Sequence, residues 1–305
     1  MITAKSKLFK AIDFTIGLFK RLQKVKPEWG AFDLVIPELI KFRNLAQKRN
    51  ISYTGQTMTQ TLNRAYASGQ SLLRVAEQFE AKLMISNDDA NYFFKELPNK
   101  EKEAVSKQSA ALDKLIADTL TVPVTEVPSL LMSDKGFFDE SYEIVLPFMQ
   151  EAESAVRGHL RVGDVKSRLK KADSTFGKQA RKKKHFTMLT DLVGAMIVTE
   201  DIEGLGYTTR IVQSNFPVLN KENYFMSHST YYAAVNYTVL GESIITEIQV
   251  KSEINYVSQM VSHDLIYAPE KAIASLTNDE RKLVEIVCGA IKTMSLDEII
   301  DSISA

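Results

Sequence analysis

The chain has one cysteine, Cys288, among its 305 residues. A lone thiol excludes a disulfide framework and a thiolate-held metal. Its place in an apolar helical segment makes it a small buried side chain. An excess of charge of either sign is also missing, because 38 Lys and Arg balance 38 Asp and Glu. Any affinity for nucleic acid must therefore come from local clustering, not from the field of the whole molecule. No apolar run approaches the ~20 residues that cross a bilayer. The N-terminus lacks the compact apolar stretch and small-residue cleavage site of a signal peptide, so the expectation is a cytoplasmic, reducing location. There is no internal repeat and no low-complexity tract. His263–Asp264 is the only His-Asp pair in the chain, and it comes late, without companion ligands upstream, which excludes a metal-hydrolase pattern.

What is present is a globular composition, 45% hydrophobic and 25% charged, in a chain longer than one core usually serves. Residues 1–130 read as a helical N-terminal region. In the first helix, over 5–26, Leu8, Phe9, Ile12, Ile16, Phe19 and Leu22 recur at helical spacing between Lys and Arg. Such a basic amphipathic helix can lie on a membrane surface or pack its stripe on neighbouring helices, and packing is the commoner use. Further helices are expected over 32–49 with Pro37 near its first turn, over 57–85, after a cap at Ser86 or Asn87, and over 100–120. Tyr92, Phe93 and Phe94 form an aromatic cluster suited to a core. Residues 122–136, with two prolines, a glycine and no clear period, mark the boundary.

Residues 131–305 alternate helix and strand. Helices are expected over 139–160 with a kink at Pro147, and over 175–184, 202–214, 252–267 and 279–294. Strands are expected near 163–170, 194–199, 216–219, 231–239 and 243–250. Interleaving of this kind predicts an α+β fold with a mixed five-stranded sheet covered by helices.

The stretch Val165–Lys184 carries nine Lys and Arg against one acid, Asp173. Val165, Ser167 and Leu169 alternate with Lys166, Arg168 and Lys170, so the cations share one face of a strand. Ser174 is a candidate cap for the following helix, with Lys178 one turn in. Two cations on a strand, a helix N-terminus and a third cation suit a polyphosphate. A basic run is also commonly a solvated face, and Lys182–Lys184 read as one. Downstream, Asp191 precedes one expected strand and Glu247 lies within another. Two carboxylates on neighbouring strands suit Mg2+, which takes one or two of them and keeps its waters. A salt bridge from Glu247 to a nearby lysine is the bland alternative.

The segment SRLKKADSTFGK, with Arg168, Lys170, Ser174 and Lys178 spaced i, i+2, i+6 and i+10, resembles the ATP-site motif of the RelA/SpoT synthetase family. DLVGAMI from Asp191, YAAVNY from Tyr232, TEIQVKS from Thr246 and SHDLIY from Ser262 follow in the order of that family's further motifs. The resemblance covers roughly the last 170 residues and implies a nucleotidyltransferase-like fold. It implies that diphosphate passes from ATP to the 3′-hydroxyl of GDP, GTP or another nucleotide acceptor, with AMP released. By position, Arg168, Lys170, Ser174 and Lys178 would bind ATP, and Asp191 would hold Mg2+. Glu247 would share the metal or activate the hydroxyl, with Gln249 beside it, and Tyr232 would stack on the acceptor base.

Departures cluster on the acceptor side. Asn236 stands where the family has histidine, Tyr231 where it has glycine, and the preceding loop offers His228 in place of Lys and Asn. Met196 replaces an arginine usual in the aspartate segment. Two further ideas stand beside the transferase, the first of them resting on Met196 and Asn236. One is a degenerate member that binds nucleotide or a partner without catalysis. The other is a helical N-terminal region that docks on or neutralises the synthetase part. Arg181 and Lys182–Lys184 can serve a tRNA backbone, and self-association into a homo-oligomer is left open.

Overall fold

The computed structural model describes residues 4–51, 99–160, 164–225, 232–241, 243–267 and 275–304. The expected helices over 57–85 and after Ser86, the aromatic cluster at Tyr92–Phe94, and His228 and Tyr231 lie outside the described residues. In chain order come helices α1 (Ala4–Val25), α2 (Phe32–Lys48), α3 (Asn99–Leu120), α4 (Val127–Ser133) and α5 (Lys135–His159). Strand β1 (Asp164–Leu169) leads to α6 (Ala172–Lys182), β2 (Val193–Thr199) and α7 (Ile202–Asn215). Strands β3 (Val218–Asn223), β4 (Val235–Leu240) and β5 (Ile245–Ser252) precede α8 (Glu253–Ser262) and α9 (Asn278–Ser304).

The five strands form one mixed sheet in the order β1-β2-β5-β4-β3. Only β2 and β5 run parallel; the other neighbours are antiparallel. The expected α+β architecture with a mixed five-stranded sheet is therefore the one observed. Because side chains alternate across a strand, the register sorts the sheet into two faces. Ala195, Ile197, Tyr237, Val239, Ile248 and Val250 join Val156 of α5 and Leu205 and Val212 of α7 in one apolar core. The opposite face carries Lys166 and Arg168, Met196, Glu247 and Gln249, and Asn236 and Thr238, aligned across the strands by the pairings Arg168–Gly194–Glu247–Thr238 and Lys166–Met196–Gln249–Asn236.

The helices of the first 130 residues do not share one core. Leu8, Ile12 and Phe19 of α1 and Val35, Leu39 and Phe42 of α2 pack with Val257 and Val261 of α8 and Val287 and Ile291 of α9. The stripe expected on the first helix is thus buried against neighbouring helices, each fully buried side chain contributing on the order of 2 kcal/mol. Cys288 lies in the same cluster, and burial pushes its thiol up to about 12. Helix α3 belongs elsewhere: Leu112 and Ile116 pack with Leu131 of α4, Phe138 and Met149 of α5, and Phe186 and Ile244. Packing therefore does not divide at residue 130.

Two local expectations are corrected. Residues 122–136 are not irregular throughout, since α4 takes Pro128 into its first turn, where a missing N–H costs nothing. Asp134 then caps α5 by accepting from Phe137 N at 3.1 Å, so that helix starts four residues before the expected Asp139. No described helix is long and apolar enough to cross a membrane.

A buried glutamine ties α3 to the sheet. Gln108 Nε2 donates to Thr187 O at 2.8 Å and Leu189 O at 3.1 Å, while its Oε1 accepts from Ile245 N at 2.6 Å. Gln108→Leu strands three buried backbone groups and is expected to cost about 3 kcal/mol in urea denaturation. Lys107→Ala, one residue away on the exposed Lys107–Glu103 pair, is expected to change stability by less than about 0.5 kcal/mol.

Candidate functional site

The basic stretch folds as a strand, a turn and a helix, but its details differ from the sequence pattern. Lys170 is the first residue past β1, and its backbone N–H donates to Leu192 O at 2.9 Å. Helix α6 begins at Ala172 with Lys171 as its cap residue, so Ser174 lies inside the first turn and does not cap it. Serine favours the N-cap position, which is why the sequence alone points to Ser174 as the start. The helix instead continues backward through Ala172 and Asp173, and Thr175 Oγ1 donates back to Lys171 O at 3.0 Å. Lys178 consequently sits nearly two turns into the helix.

These shifts bring both lysines onto Asp191. Lys170 Nζ is 2.5 Å and Lys178 Nζ 2.6 Å from Asp191 Oδ2. Burial alone would raise the Asp191 pKa, but the two ammoniums outweigh it and hold the carboxyl below its ordinary value. Burial is the larger influence on Lys170 and lowers its pKa despite the pair. The other carboxylate oxygen, Oδ1, is buried with no hydrogen-bond partner. An oxygen in that condition is costly to leave bare, which makes it a candidate metal ligand.

Glu247 is reached through the parallel β2–β5 pairing, in which it lies opposite Gly194. The missing side chain at Gly194 leaves room for Arg168, whose Nε would be 3.5 Å from an added Cβ. Arg168, Asp191, Glu247, Gln249 and Met196 line one cavity of about 290 Å3, closed from the helical side by Tyr256, Gln259, Met260 and His263. A second cavity of about 510 Å3 borders Glu247 on its other side. Its walls include Lys178, Lys182 and Lys184, Asn236, Glu222 and Tyr224, and Glu101 and Lys102 of α3. Arg181 and Lys182–Lys184 are exposed, in keeping with a solvated run.

The predicted acceptor residues form a network around Glu247. Its Oε1 accepts from Gln249 Nε2 at 2.5 Å and Asn236 Nδ2 at 3.3 Å. Tyr232 precedes β4 and donates from its hydroxyl to Asn236 Oδ1 at 2.9 Å. Its ring meets Tyr224 edge-on at 5.0 Å and lies 4.9 Å under Lys251 Nζ. Burial, then the charge of Glu247, raises the Tyr232 pKa, so the phenol stays neutral.

Sequence reasoning gave no role to Lys251, Tyr256, Gln259, Glu222 or Glu101. Lys251 continues the period-two face of Glu247 and Gln249, a signal that was there to read. Tyr256, Gln259 and Met260 recur at helical spacing on α8, and His263 follows as its C-cap residue. Glu101 carried no sequence signal, because nothing local tells that α3 closes over the sheet.

Among the described residues no three or more His, Cys, Asp or Glu cluster as a metal cage. That donor set does fit Mg2+, which binds through one or two carboxylates and fills its remaining positions with water and phosphate oxygens. The bare Oδ1 of Asp191 and the carboxylate of Glu247 on the same cavity are the groups available to it.

Residues 167–272 match the sequence profile of a family described as the region found in RelA/SpoT proteins. No curated protein matches the chain. Among solved structures the chain is similar to the small alarmone synthetase 1 from Bacillus subtilis, with 15% identity, 54% of this chain and 95% of that one covered, and a TM-score of 0.42. The same synthetase bound to its product pppGpp gives 15% identity, coverages of 55% and 100%, and a TM-score of 0.44. The protein smu.1046c from Streptococcus mutans UA159 gives 16% identity, coverages of 52% and 96%, and a TM-score of 0.42.

Asp191→Asn leaves two lysines without their counter-charge and is expected to cost on the order of 3 kcal/mol at neutral pH. Because the folded-state pKa of Asp191 is depressed, the wild-type advantage is full above the ordinary aspartate value of 3.8 and closes as pH falls through and below it. Paired thermal melts of the two proteins between pH 7 and pH 3 check both statements.

Proposed function

We propose that the RelA/SpoT-like domain at residues 167–272 is an ATP-dependent diphosphotransferase acting on the 3′-hydroxyl of a nucleotide acceptor. The observation that carries this reading is the convergence of Lys170 and Lys178 on Asp191, one of whose oxygens is buried and bare, in a cavity shared with Arg168 and Glu247. Two carboxylates and the cations Lys166 and Arg168 on one cavity, with Lys170 and Lys178 held on Asp191 at its wall, match what a triphosphate needs, since phosphoryl transfer is catalysed chiefly by positioning and by charge neutralisation.

In this reading Arg168, Lys170 and Lys178 bind the donor, with Ser174 in the first turn of α6 beside them. Asp191 and Glu247 hold Mg2+, which when bound neutralises charge on the non-bridging phosphate oxygens. Glu247 accepts the proton of the acceptor 3′-hydroxyl. That oxygen forms a bond to the β-phosphorus of ATP, the bond from this phosphorus to the α–β bridging oxygen breaks, and AMP leaves. The second cavity, on the other side of Glu247, takes the acceptor, with Asn236 and Tyr224 in its wall, Tyr232 behind them, and the exposed Lys182 and Lys184 at its rim. GDP and GTP are the first acceptors to consider, followed by other nucleotides and the 3′ end of tRNA, which the exposed Lys182–Lys184 run suits.

A second reading has its own observation. Tyr232 is enclosed by Tyr224 and Lys251, and its hydroxyl is committed to Asn236, so its ring is not a bare platform for a base. With Met196 in place of a cation, this favours a nucleotide-binding member that transfers nothing.

Incubation with ATP labelled at the γ-phosphate and Mg2+, plus GDP, GTP, ATP or tRNA in turn, separates the two. Transfer predicts label on one acceptor with stoichiometric AMP, lowered by about 10²–10⁴-fold in Glu247→Gln. Label on no acceptor, with ATP still bound in a Mg2+-dependent way, establishes the second reading instead.

A further inference from the structure

Lys251 is fully buried, lines neither cavity that Glu247 borders, and has no role in the chemistry above. Its Nζ donates to Gln249 Oε1 at 2.9 Å and to Gln259 Oε1 of α8. It also lies 4.9 Å over the ring of Tyr232. From these contacts we infer that Lys251 is a positioning residue for Glu247, acting through the side-chain amide of Gln249; its kinetic consequence rests on the transfer reading.

The argument turns on the two ends of an amide. A glutamine side chain has a carbonyl and an NH2 of nearly equal shape, and only its neighbours decide which points where. An ammonium has donors and no acceptor. Lys251 therefore demands the carbonyl end of Gln249, which leaves Nε2 aimed at Glu247 Oε1, 2.5 Å away. Without that ammonium, nothing on this side prevents the amide from turning its carbonyl toward the carboxylate.

The same lysine acts on the other donor to Glu247. Its charge over the Tyr232 ring holds the ring by a cation–π contact. The Tyr232 hydroxyl donates to Asn236 Oδ1, which turns Asn236 Nδ2 toward Glu247 Oε1 at 3.3 Å. Both donors that fix this carboxylate oxygen are thus oriented from one buried cation. Gln259 holds that cation from α8, so the placement of Glu247 depends on the docking of α8 on the sheet. Burial pulls the Lys251 pKa down to about 7, with Glu247 raising it and Arg168 lowering it further, so its orienting role as an ammonium is fullest below pH 7, where the spectra are recorded.

The test uses the full chain labelled with [15N]glutamine, the Gln249 side-chain amide being assigned with Gln249→Leu. In Lys251→Met the Gln249 Nε2–H resonances are expected to shift and to lose protection from solvent exchange. With the acceptor that takes label, kcat is expected to fall on the order of 10- to 100-fold, as for other groups that orient a ligand or base, while KM for ATP changes by less than about 2-fold. Lys251→Arg, which keeps a cation with donors, restores both. Should Lys251→Met not fold, Gln259→Leu removes the outer hold on the ammonium and is expected to shift the same resonances. An unmoved Gln249 amide in these variants overturns the inference, as does a displaced amide with unchanged kcat. If the wild type transfers label to nothing, the transfer reading fails, and the amide resonances alone decide the positioning role.

Discussion

The structure depends most on one compact electrostatic arrangement, in which Lys170 and Lys178 both close on a single oxygen of Asp191. The three side chains come from the end of β1, the second turn of α6 and the turn before β2. Placing such charges out of water is expensive, and an ion pair in that situation contributes little net stability. What it does is fix geometry. It ties α6 to the sheet and leaves the other Asp191 oxygen buried and bare, on a residue that lines a cavity with Arg168 and Glu247. On the transfer reading proposed above, cations gathered around a carboxylate they do not fully satisfy would receive a phosphate chain and a hard metal ion.

The sheet makes that arrangement possible by keeping its two faces chemically distinct. One face is continuous with the apolar core under α5 and α7, and the other carries cations, carboxylates and amides. The single parallel pairing, β2 with β5, brings a residue near position 191 beside one at 247. Helix α8 closes the polar face with Tyr256, Gln259 and Met260, and is itself held by α1, α2 and α9 in a separate apolar cluster. The two ends of the chain therefore brace the helix that covers the site, and α3 does the same for the second cavity through Gln108. The helices of the N-terminal region serve the architecture of the sheet domain from two sides.

How much was legible differs element by element. The strands and helices of residues 131–305 were readable from periodicity, with most ends displaced by a few residues and the last helix running to Ser304, ten residues past its expected end. The α1 stripe was readable as a packing face. The start of α6 was misread because Ser174 is a good cap in isolation, while the native start is set by where β1 leaves the sheet. Lys251 was passed over because a lysine in a strand reads as solvent-facing. Its burial is a consequence of Tyr232, Gln249 and Gln259 closing around it. Glu101 could not have been found, since its relation to Glu222 and Asn236 exists only once α3 lies across the edge of the sheet.

The sequence by itself determined the residue types and their spacing: cations two residues apart beside a helix, an aspartate before one apolar strand, and a glutamate within another. Local periodicity depends only on the geometry of strand and helix, so it survives without a fold. Which oxygens meet which ammoniums, that Asp191 keeps one oxygen bare, and that Lys251 is sealed under a tyrosine ring were decided only by tertiary structure. These follow from the register of β1, β2, β4 and β5 and from helices packed across them, and such long-range alignments leave no trace in any short stretch of chain.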